Sequence, residues 1–366
     1  MTKLLERSKI TIDWELFRLL TQVPGAPGFE SEVRKTMRSY LAQYADEIIQ
    51  DRLGGIYGIK KGNPNGPKIL MAGHMDEVAF MITKITEDGF LKFQPLGGWW
   101  SQVLLAQRVD VINNKGKRFP GVIGSKPLHL LNEDEEKQLV KTSKMFIDIG
   151  AKSREEVEEW GILPGDVAIP YSPYTELEGG QRVMSKAWDN RLGCGMAIEL
   201  LSSLQDEYHP NIIYAGATVQ EEVGLRGAGP AAQLIQPDLF FAVDVGPAGD
   251  TLGVQDGFGK IGKGMLIRVY DRSMITLPRL RDFLLDIAER EKIPYQFFIS
   301  PGGGTDAGRV HMTGRGVPSV AIGVVARYIH THASIIDKED VEATKAFVVA
   351  LAKELDYSTY QSIISH

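Results

Sequence analysis

The architecture of the chain is indicated most clearly by the segment Ile69-Leu70-Met71-Ala72-Gly73-His74-Met75-Asp76. Its four leading apolar residues follow a turn-rich stretch, residues 62–67, and a short apolar run bounded in this way is typical of a strand buried on both faces. The polar residues His74 and Asp76 come where this strand ends. Because the sites of α/β sheets are built at strand ends, the segment predicts an α/β fold with a site at this edge.

Helix and strand patterns alternate on both sides of this strand. Upstream, Val33, Met37 and Leu41 recur at helical spacing and predict an amphipathic helix over residues 30–45. Downstream of Gly180, short apolar runs alternate with helical segments, which is typical of a sheet covered by helices on both faces. The predicted strands span residues 212–219, 239–243, 265–269 and 320–325, and the predicted helices span residues 190–203, 277–292 and 338–355.

Between these two parts, short apolar segments are separated by turns. These segments lie at residues 80–82, 90–93, 109–112, 146–149 and 167–169. Strands this short predict a small β-barrel or β-sandwich, and the acidic stretch at residues 131–141 predicts a loop within it. We therefore expect an α/β domain split between residues 1–74 and 180–366, interrupted by an inserted β-barrel-like domain at residues 75–179.

Composition excludes several classes of partner. The 366 residues include 41 Lys and Arg and 47 Asp and Glu. The resulting net charge of −6 disfavours binding to the negatively charged backbone of nucleic acids. The apolar runs are too short to span a membrane, and the first residues lack the apolar core of a signal peptide. The single Cys194 fits a reducing compartment, so we expect a cytoplasmic protein with no nucleic-acid or membrane partner.

Further polar residues follow the predicted strands or precede the predicted helices. Each has an ordinary explanation by itself: Asp189 suits a helix cap, and Glu221 with Glu222 suits a solvated loop. Asp244 is expected at the end of strand 239–243, and His330 follows strand 320–325.

Taken together, two histidines and three carboxylates at the strand ends of one domain match a two-metal site. Mixed ligation without thiolate suits Zn²⁺, Co²⁺ or Mn²⁺. A fourth carboxylate remains to move protons. Because neighbouring side chains of an extended backbone point in opposite directions, Glu221 and Glu222 are expected to have different roles. One would bind a metal and the other would transfer protons, and their spacing alone does not say which glutamate has which role.

Six sequence blocks in this order resemble the TET-type (tetrahedral complex) aminopeptidases. These are co-catalytic metallo-aminopeptidases that include glutamyl and deblocking aminopeptidases and some members labelled endoglucanases. The resemblance implies a zinc-aminopeptidase-like sheet flanked by helices and covers nearly the whole chain. The blocks are residues 73–77, 187–191, 220–224, 243–245, 303–307 and 327–332.

The resemblance also implies a set of metal ligands. Asp189 would bridge two divalent ions, His74 and Asp244 would complete one site, and Glu222 and His330 would complete the other. His330 is preferred over His332 because the family motif places the ligand two residues after the tyrosine.

Other residues would act beside the metals. By the same resemblance, Glu221 would be the general base, and Asp76 would hydrogen-bond the His74 ring and fix its tautomer. The glycines at 302–304 and Asp306 are expected to shape a loop next to the metals.

The implied activity is removal of N-terminal residues from short peptides. In the family, the inserted domain forms dimers that assemble into a tetrahedral dodecamer. Preference for an acidic N-terminal residue would need a basic side chain, for which Arg226, Arg309 and Arg327 are candidates. The acidic residues 133–136 are a candidate contribution to a neighbouring subunit's site.

Three alternatives remain at this point. A related co-catalytic amidohydrolase or carboxypeptidase would share the split domain. An endoglucanase would need two carboxylates on opposite sides of the glycosidic bond, which leaves the histidines unexplained. A metal-stabilised scaffold without activity would leave the extra carboxylate of Glu221 unexplained.

Overall fold

The computed structural model describes residues 11–255 and 257–365. Residues 1–10 of the expected first segment, Asp256 and His366 lie outside the described residues. The α-helices within the described ranges are α1 Trp14–Gln22, α2 Ser31–Tyr44, α3 Glu133–Glu136, α4 Arg154–Glu159, α5 Trp188–Ser203, α6 Ala228–Ile235, α7 Pro278–Arg290, α8 Asp306–His311, α9 Lys338–Glu354 and α10 Tyr357–Ile364.

The strands form a large sheet, a small sheet and a barrel. Their bounds are β1 Glu47–Gln50, β2 Ile56–Lys61, β3 Lys68–His74, β4 Ala79–Ile85, β5 Leu91–Leu96, β6 Arg108–Ile112, β7 Arg118–Gly124, β8 Phe146–Asp148, β9 Val167–Pro170, β10 Thr175–Glu176, β11 Arg182–Ser185, β12 Ile212–Thr218, β13 Leu239–Pro247, β14 Met265–Asp271, β15 Met274–Ile275, β16 Tyr295–Ile299, β17 Ser319–Ala326 and β18 Ser334–Asp337.

The large sheet has the order β1-β2-β12-β3-β13-β17-β14-β15, with β16 paired to β14. Its four central strands β12, β3, β13 and β17 are parallel, while β2 and β14 run antiparallel to their central neighbours. Because parallel strands end at the same edge, the residues following β3, β12 and β17 are brought together.

Apolar residues cover both faces of this sheet. Along β3, Ile69 and Met71 join a cluster with helices α1, α2, α5, α7 and α9, whereas Leu70 and Ala72 join a second cluster with α6 and α8. The alternation follows from the two-residue period of a strand, and burial on both faces explains the continuous apolar run in the sequence. The predicted α/β class with flanking helices is confirmed.

Helix α5 packs unusually close to the sheet because two glycines meet. A methyl group at Gly193 would lie 2.2 Å from the carbonyl oxygen of Val243 and 2.7 Å from the Cα of Gly73. A methyl group at Gly73 would lie 2.6 Å from the Cα of Gly193. The absence of both side chains lets the start of α5, which carries Asp189, approach β3 and β13 directly.

The short strands of the middle region close into a six-stranded barrel. Its order is β4-β5-β8-β7-β6-β9, and its interior is a separate apolar cluster that includes Phe80, Val111 and Ile147. The barrel strands begin at Ala79 and end at Pro170, so the barrel lies inside the expected insertion.

Local differences from the sequence predictions have physical causes. Strand β13 does not end at 243 but continues to Pro247, because β17 pairs with it from Phe240 to Pro247. The segment at 131–141 contains the helical turn α3, started by a capping box between Asn132 and Glu135. Among residues 11–255 and 257–365, no helix is both long and apolar enough to cross a membrane.

Candidate metal centre

Four strands of the large sheet, β3, β12, β13 and β17, position four of the five predicted ligands and the predicted base. His74 is the last residue of β3, and Glu221 and Glu222 follow β12. His330 follows β17, in a left-handed conformation at φ 56°. The sequence analysis predicted that Asp244 ends its strand, and this prediction is wrong. Asp244 lies within β13, opposite Gly323. The close approach of β17 there requires glycine, since a Cβ at 323 would lie 1.9 Å from the carbonyl oxygen of Asp244.

Asp189 is held at an irregular start of α5. Asp189 and Asn190 have non-helical backbone angles, and the peptide bond between them is cis. The side chain of Asn190 accepts from the backbone N–H of Gly193 (2.9 Å) and donates to the carbonyl of Val243 (2.8 Å). These two bonds tie the turn to β13, one residue before Asp244.

Each of the two carboxylate oxygens of Asp189 is in contact with one histidine. His74 Nε2 lies 3.1 Å from Asp189 Oδ1, and His330 Nε2 lies 3.2 Å from Asp189 Oδ2. His74 Nε2 is also 3.8 Å from Glu221 Oε2 and 3.9 Å from Asp244 Oδ1. The structure thus brings together four of the five predicted ligands and the predicted base.

The remaining predicted ligand, Glu222, lies beside His330. Its Oε1 is 3.3 Å from His330 Nε2, and it joins His74 and Asp189 in a group whose candidate ligand atoms all lie within 4.8 Å of one another. His74, Glu221 and Asp244 form a second such group. The two groups share His74, and Asp189 belongs to the group that contains Glu222.

Backbone carbonyls orient both histidine rings. His74 Nδ1 is 3.0 Å from the carbonyl oxygen of Asp76, and His330 Nδ1 is 3.0 Å from the carbonyl oxygen of Gly98. A proton on each Nδ1 would donate to these carbonyls and leave the Nε2 lone pairs facing the carboxylates. This is the tautomer that a metal-binding histidine requires.

The His74 ring is close to both the side chain and the main chain of Asp76. Its carboxylate lies 3.5 Å from His74 Nδ1, and the shorter contact is made by its main-chain carbonyl. The carboxylate oxygens also accept the backbone N–H groups of Glu221 and Glu222, each at 3.0 Å. Asp76 therefore contacts the histidine through both its main-chain carbonyl and its carboxylate, and the carboxylate also binds the main chain of the two glutamates.

The charges of this buried cluster are unbalanced. Burial raises the pKa of Glu221 well above its ordinary value, and burial together with Asp189 raises that of Asp244. Burial alone would lower the pKa of His330, but Asp189 and Glu222 raise it to about 11. Neighbouring carboxylates likewise overcome the effect of burial and raise the pKa of His74. The site holds more negative charge than its surroundings stabilise.

The donor set fits divalent cations. The buried atoms Asp189 Oδ1 and Glu222 Oε1 have no hydrogen-bond partner among the described residues, although histidine nitrogens lie within 3.3 Å of them. Such close contacts without hydrogen-bond geometry are expected of donors directed at a common ion. A divalent cation would also reverse the pKa shifts by supplying the missing positive charge.

The sequence of this site matches a known peptidase family. The model of the M42 glutamyl aminopeptidases matches residues 54–347, a range that includes every residue of the cluster. The chain belongs to the M42 glutamyl aminopeptidase family. It is therefore a peptide hydrolase of a metal-dependent class, and the resemblance stated from the sequence is confirmed.

Individual members of the family are similar over nearly the whole chain. A glutamyl aminopeptidase of Lactococcus lactis is 41% identical over 347 residues, which cover 93% of this chain and 97% of the relative. The structure of a TET aminopeptidase from a marine sediment Thaumarchaeota archaeon is 44% identical, with a TM-score of 0.93 over 96% of this chain and 99% of that one. The TET1 peptidase of Pyrococcus horikoshii is 32% identical, with a TM-score of 0.83 over 93% and 99% of the two chains.

In this M42 chain, the cluster opens into a cavity of about 810 Å³. The glycines at 302–304 line it, as expected from the sequence, whereas Asp306 lies deeper and accepts a hydrogen bond from Thr218. Burial raises the pKa of Asp306 to about 7. The cavity contains Arg268 and Arg272, and none of the three arginines considered from the sequence lines it.

His332 lies apart from the carboxylates. It is 4% exposed, and its ring packs against Trp99 with the centroids 5.5 Å apart. Burial lowers its pKa to about 4, so the ring is neutral. Within the described part of the chain, no carboxylate oxygen is found within 4 Å of it, in contrast to His330.

Proposed function

We propose that this protein removes N-terminal residues from short peptides with two divalent cations held by His74, Asp189, Glu222, Asp244 and His330. The observation that supports this proposal most directly is the pair of histidine Nε2 atoms facing opposite oxygens of Asp189, at 3.1 and 3.2 Å. Zn²⁺, Co²⁺ and Mn²⁺ all suit this mixed set of nitrogen and oxygen donors. A single bridging carboxylate between two histidine-containing halves is suited to a pair of ions.

Two bound cations would supply Lewis-acid chemistry and would make a water in the cluster easier to deprotonate. Glu221 is proposed as the general base that takes the proton of this water and returns it to the leaving amine. Both glutamates line the cavity, but the side chain of Glu221 is the more exposed, at 11% against 4% for that of Glu222, which contacts His330 at 3.3 Å.

Arg268 is proposed to favour substrates with an acidic first residue. Its guanidinium lines the cavity and is 6% exposed, over the ring of Phe298 at 5.1 Å. Its nearest carboxylate contact is with Asp271 at 3.5 Å, and its Nε has no hydrogen-bond partner among the described residues. A buried cation with unused donors next to a cavity is suited to a substrate carboxylate.

The proposal includes self-assembly in the cytoplasm. The Pyrococcus horikoshii relative is described as assembling into a tetrahedron or a large octahedral shell. We infer that this chain forms a homo-oligomer of the same kind, with dimers assembling into a tetrahedral dodecamer. The free Cys194 is buried, which is compatible with a reducing compartment.

The test is metal-dependent hydrolysis of a panel of aminoacyl-p-nitroanilides. The protein would be stripped with a chelator and then restored separately with Zn²⁺, Co²⁺ or Mn²⁺. We expect activity to vanish and return, with more than one ion bound per subunit by elemental analysis. Uncleaved anilides with metals bound would refute the aminopeptidase, and cleavage of N-acyl amino acids would favour the amidohydrolase instead. Cellulose hydrolysis that survives chelation would favour an endoglucanase.

A further inference from the structure

The loop that carries Glu221 and Glu222 begins with an unfavourable backbone conformation. Gln220, the residue before them, has φ 55°, in the left-handed region that non-glycine residues seldom occupy. Within the loop, the carbonyl of Glu221 accepts from the N–H groups of Gly224 and Leu225, and the carbonyl of Gln220 accepts from the N–H of Arg226 at 3.2 Å. These bonds use carbonyls of the entry but not the N–H groups of residues 220–222, which are bound by residues outside the loop.

Two carboxylates from distant parts of the chain bind three consecutive N–H groups of this entry. Asp76 accepts from Glu221 and Glu222, and Glu30 Oε1 accepts from Gln220 at 3.1 Å. The sequence separation between Glu30 and Gln220 is 190 residues, so the contact depends on the complete fold. Every N–H group from 220 to 222 is thus fixed by a buried side chain.

Glu30 lies at the start of α2, but its side chain does not cap that helix. It occupies the N-cap position, yet its side chain makes no capping bond there. It is 3% exposed, and the same Oε1 accepts from the N–H of Gly28 at 2.8 Å. Burial and the neighbouring charge of Asp76 raise its pKa to about 7. A glutamate kept in such an unfavourable place is better explained by the loop that it binds than by helix stability.

We propose that Glu30 is a positioning residue that holds Gln220 in its left-handed conformation and thereby directs Glu221 and Glu222 into the metal cluster. The proposal rests on the function proposed above for these two glutamates. Glu30 touches neither substrate nor the cluster, and it acts through a single backbone hydrogen bond. The reach of its side chain and its acceptor oxygen should therefore matter more than its charge.

Two conservative variants separate reach from charge. Glu30→Gln keeps the length and one acceptor oxygen but removes the charge. Glu30→Asp keeps the charge but is shorter by one methylene, and aspartate is also a good N-cap, so this variant is expected to fold. The matched control is Glu32→Asp, since Glu32 lies on the same helix and its side chain is half-exposed beside Lys35.

The measurements follow the loop, the metals and the reaction separately. In Glu30→Asp we expect amide hydrogen exchange to become at least about tenfold faster in residues 219–225 and to stay unchanged in residues 239–247 of β13. We expect zinc affinity, measured by competition with a chelator, to fall by about 10- to 100-fold, with a changed visible spectrum of the Co²⁺ form. For an aminoacyl-p-nitroanilide, kcat should fall by about 10- to 100-fold with KM within about twofold.

Glu30→Gln should remain within about threefold of the wild type in all three measurements, and Glu32→Asp should match the wild type. Equal losses in the two Glu30 variants would overturn the proposal, as would an unchanged Glu30→Asp. Faster exchange throughout the protein would indicate general destabilisation and would also overturn it. If the wild type cleaves no anilide, the proposed function fails, while the exchange, zinc and cobalt measurements still decide the role of Glu30.

Discussion

Substitution of Gly193 by alanine should separate the two halves of the metal cluster. The new Cβ would lie 2.2 Å from the carbonyl oxygen of Val243, where ordinary contact needs at least about 3.2 Å. Strand β13 is paired on both sides, so it has little freedom to retreat, and the start of α5 must move by about 1 Å instead. Asp189 moves with it, away from His74 and Asp244.

The expected magnitudes follow from this displacement. Metal–ligand distances tolerate deviations of only about 0.2 Å, so zinc affinity should fall by at least about tenfold. Misplacement by about 1 Å should reduce kcat by about 100-fold. Overpacking should lower the free energy of unfolding by about 1 to 3 kcal/mol, which leaves most domains folded at 25 °C.

The matched control is the same substitution two residues later. A Cβ at Gly195 would meet the ring of Phe17 on α1 at 2.4 Å, on the side of α5 that faces away from the cluster. Gly195→Ala should therefore lose a similar amount of stability with zinc affinity within about threefold. Chelator competition, chemical unfolding and anilide kinetics would be measured on both variants. Wild-type zinc affinity in folded Gly193→Ala would refute the reasoning.

Two further substitutions test the proposed roles at the cavity. Glu221→Gln should keep its metals and assembly while kcat falls by about two to four orders of magnitude, and near-wild-type turnover would remove Glu221 as the base. Arg268→Met should lower kcat/KM for a glutamyl anilide by at least about tenfold relative to a leucyl anilide, because it deletes the cation beside the cavity. Equal effects on the two anilides would place acidic-residue recognition elsewhere.

Much of the site could be predicted because strands end where the ligands lie. His74 ends a strand, and Glu221, Glu222 and His330 lie three or four residues after the end of one, so their positions can be predicted from the apolar pattern of the sequence. Asp244 lies inside a strand that continues past it, and the sequence gives no sign of this because only the opposite Gly323 permits the pairing. The pattern of apolar residues indicates which residues are buried and whether they form a helix or a strand, but not how many residues of two strands pair with each other.

Residues that act through contacts between distant segments were not predicted. Arg268 lies in β14 among apolar neighbours, and its exposure to the cavity depends on packing against Phe298. Glu30 resembles any polar residue at a helix start, and the acceptor for His330 is a backbone carbonyl at Gly98. Strand β7 was missed because Pro120 and Gly121 interrupt its apolar pattern. Contacts with main-chain atoms and contacts between distant segments cannot be predicted from the residue types alone.

The carbonyl of Gly98 follows β5 of the barrel, whereas His330 belongs to the large sheet. This hydrogen bond couples the orientation of the barrel to the affinity of His330 for a metal ion. By thermodynamic reciprocity, whatever free energy a bound ion gains from a correctly seated barrel is also gained by the seating of the barrel when the ion binds. If subunits associate through the barrel in the oligomer proposed above, association and metal binding would reinforce each other, and an isolated subunit would bind its metals more weakly.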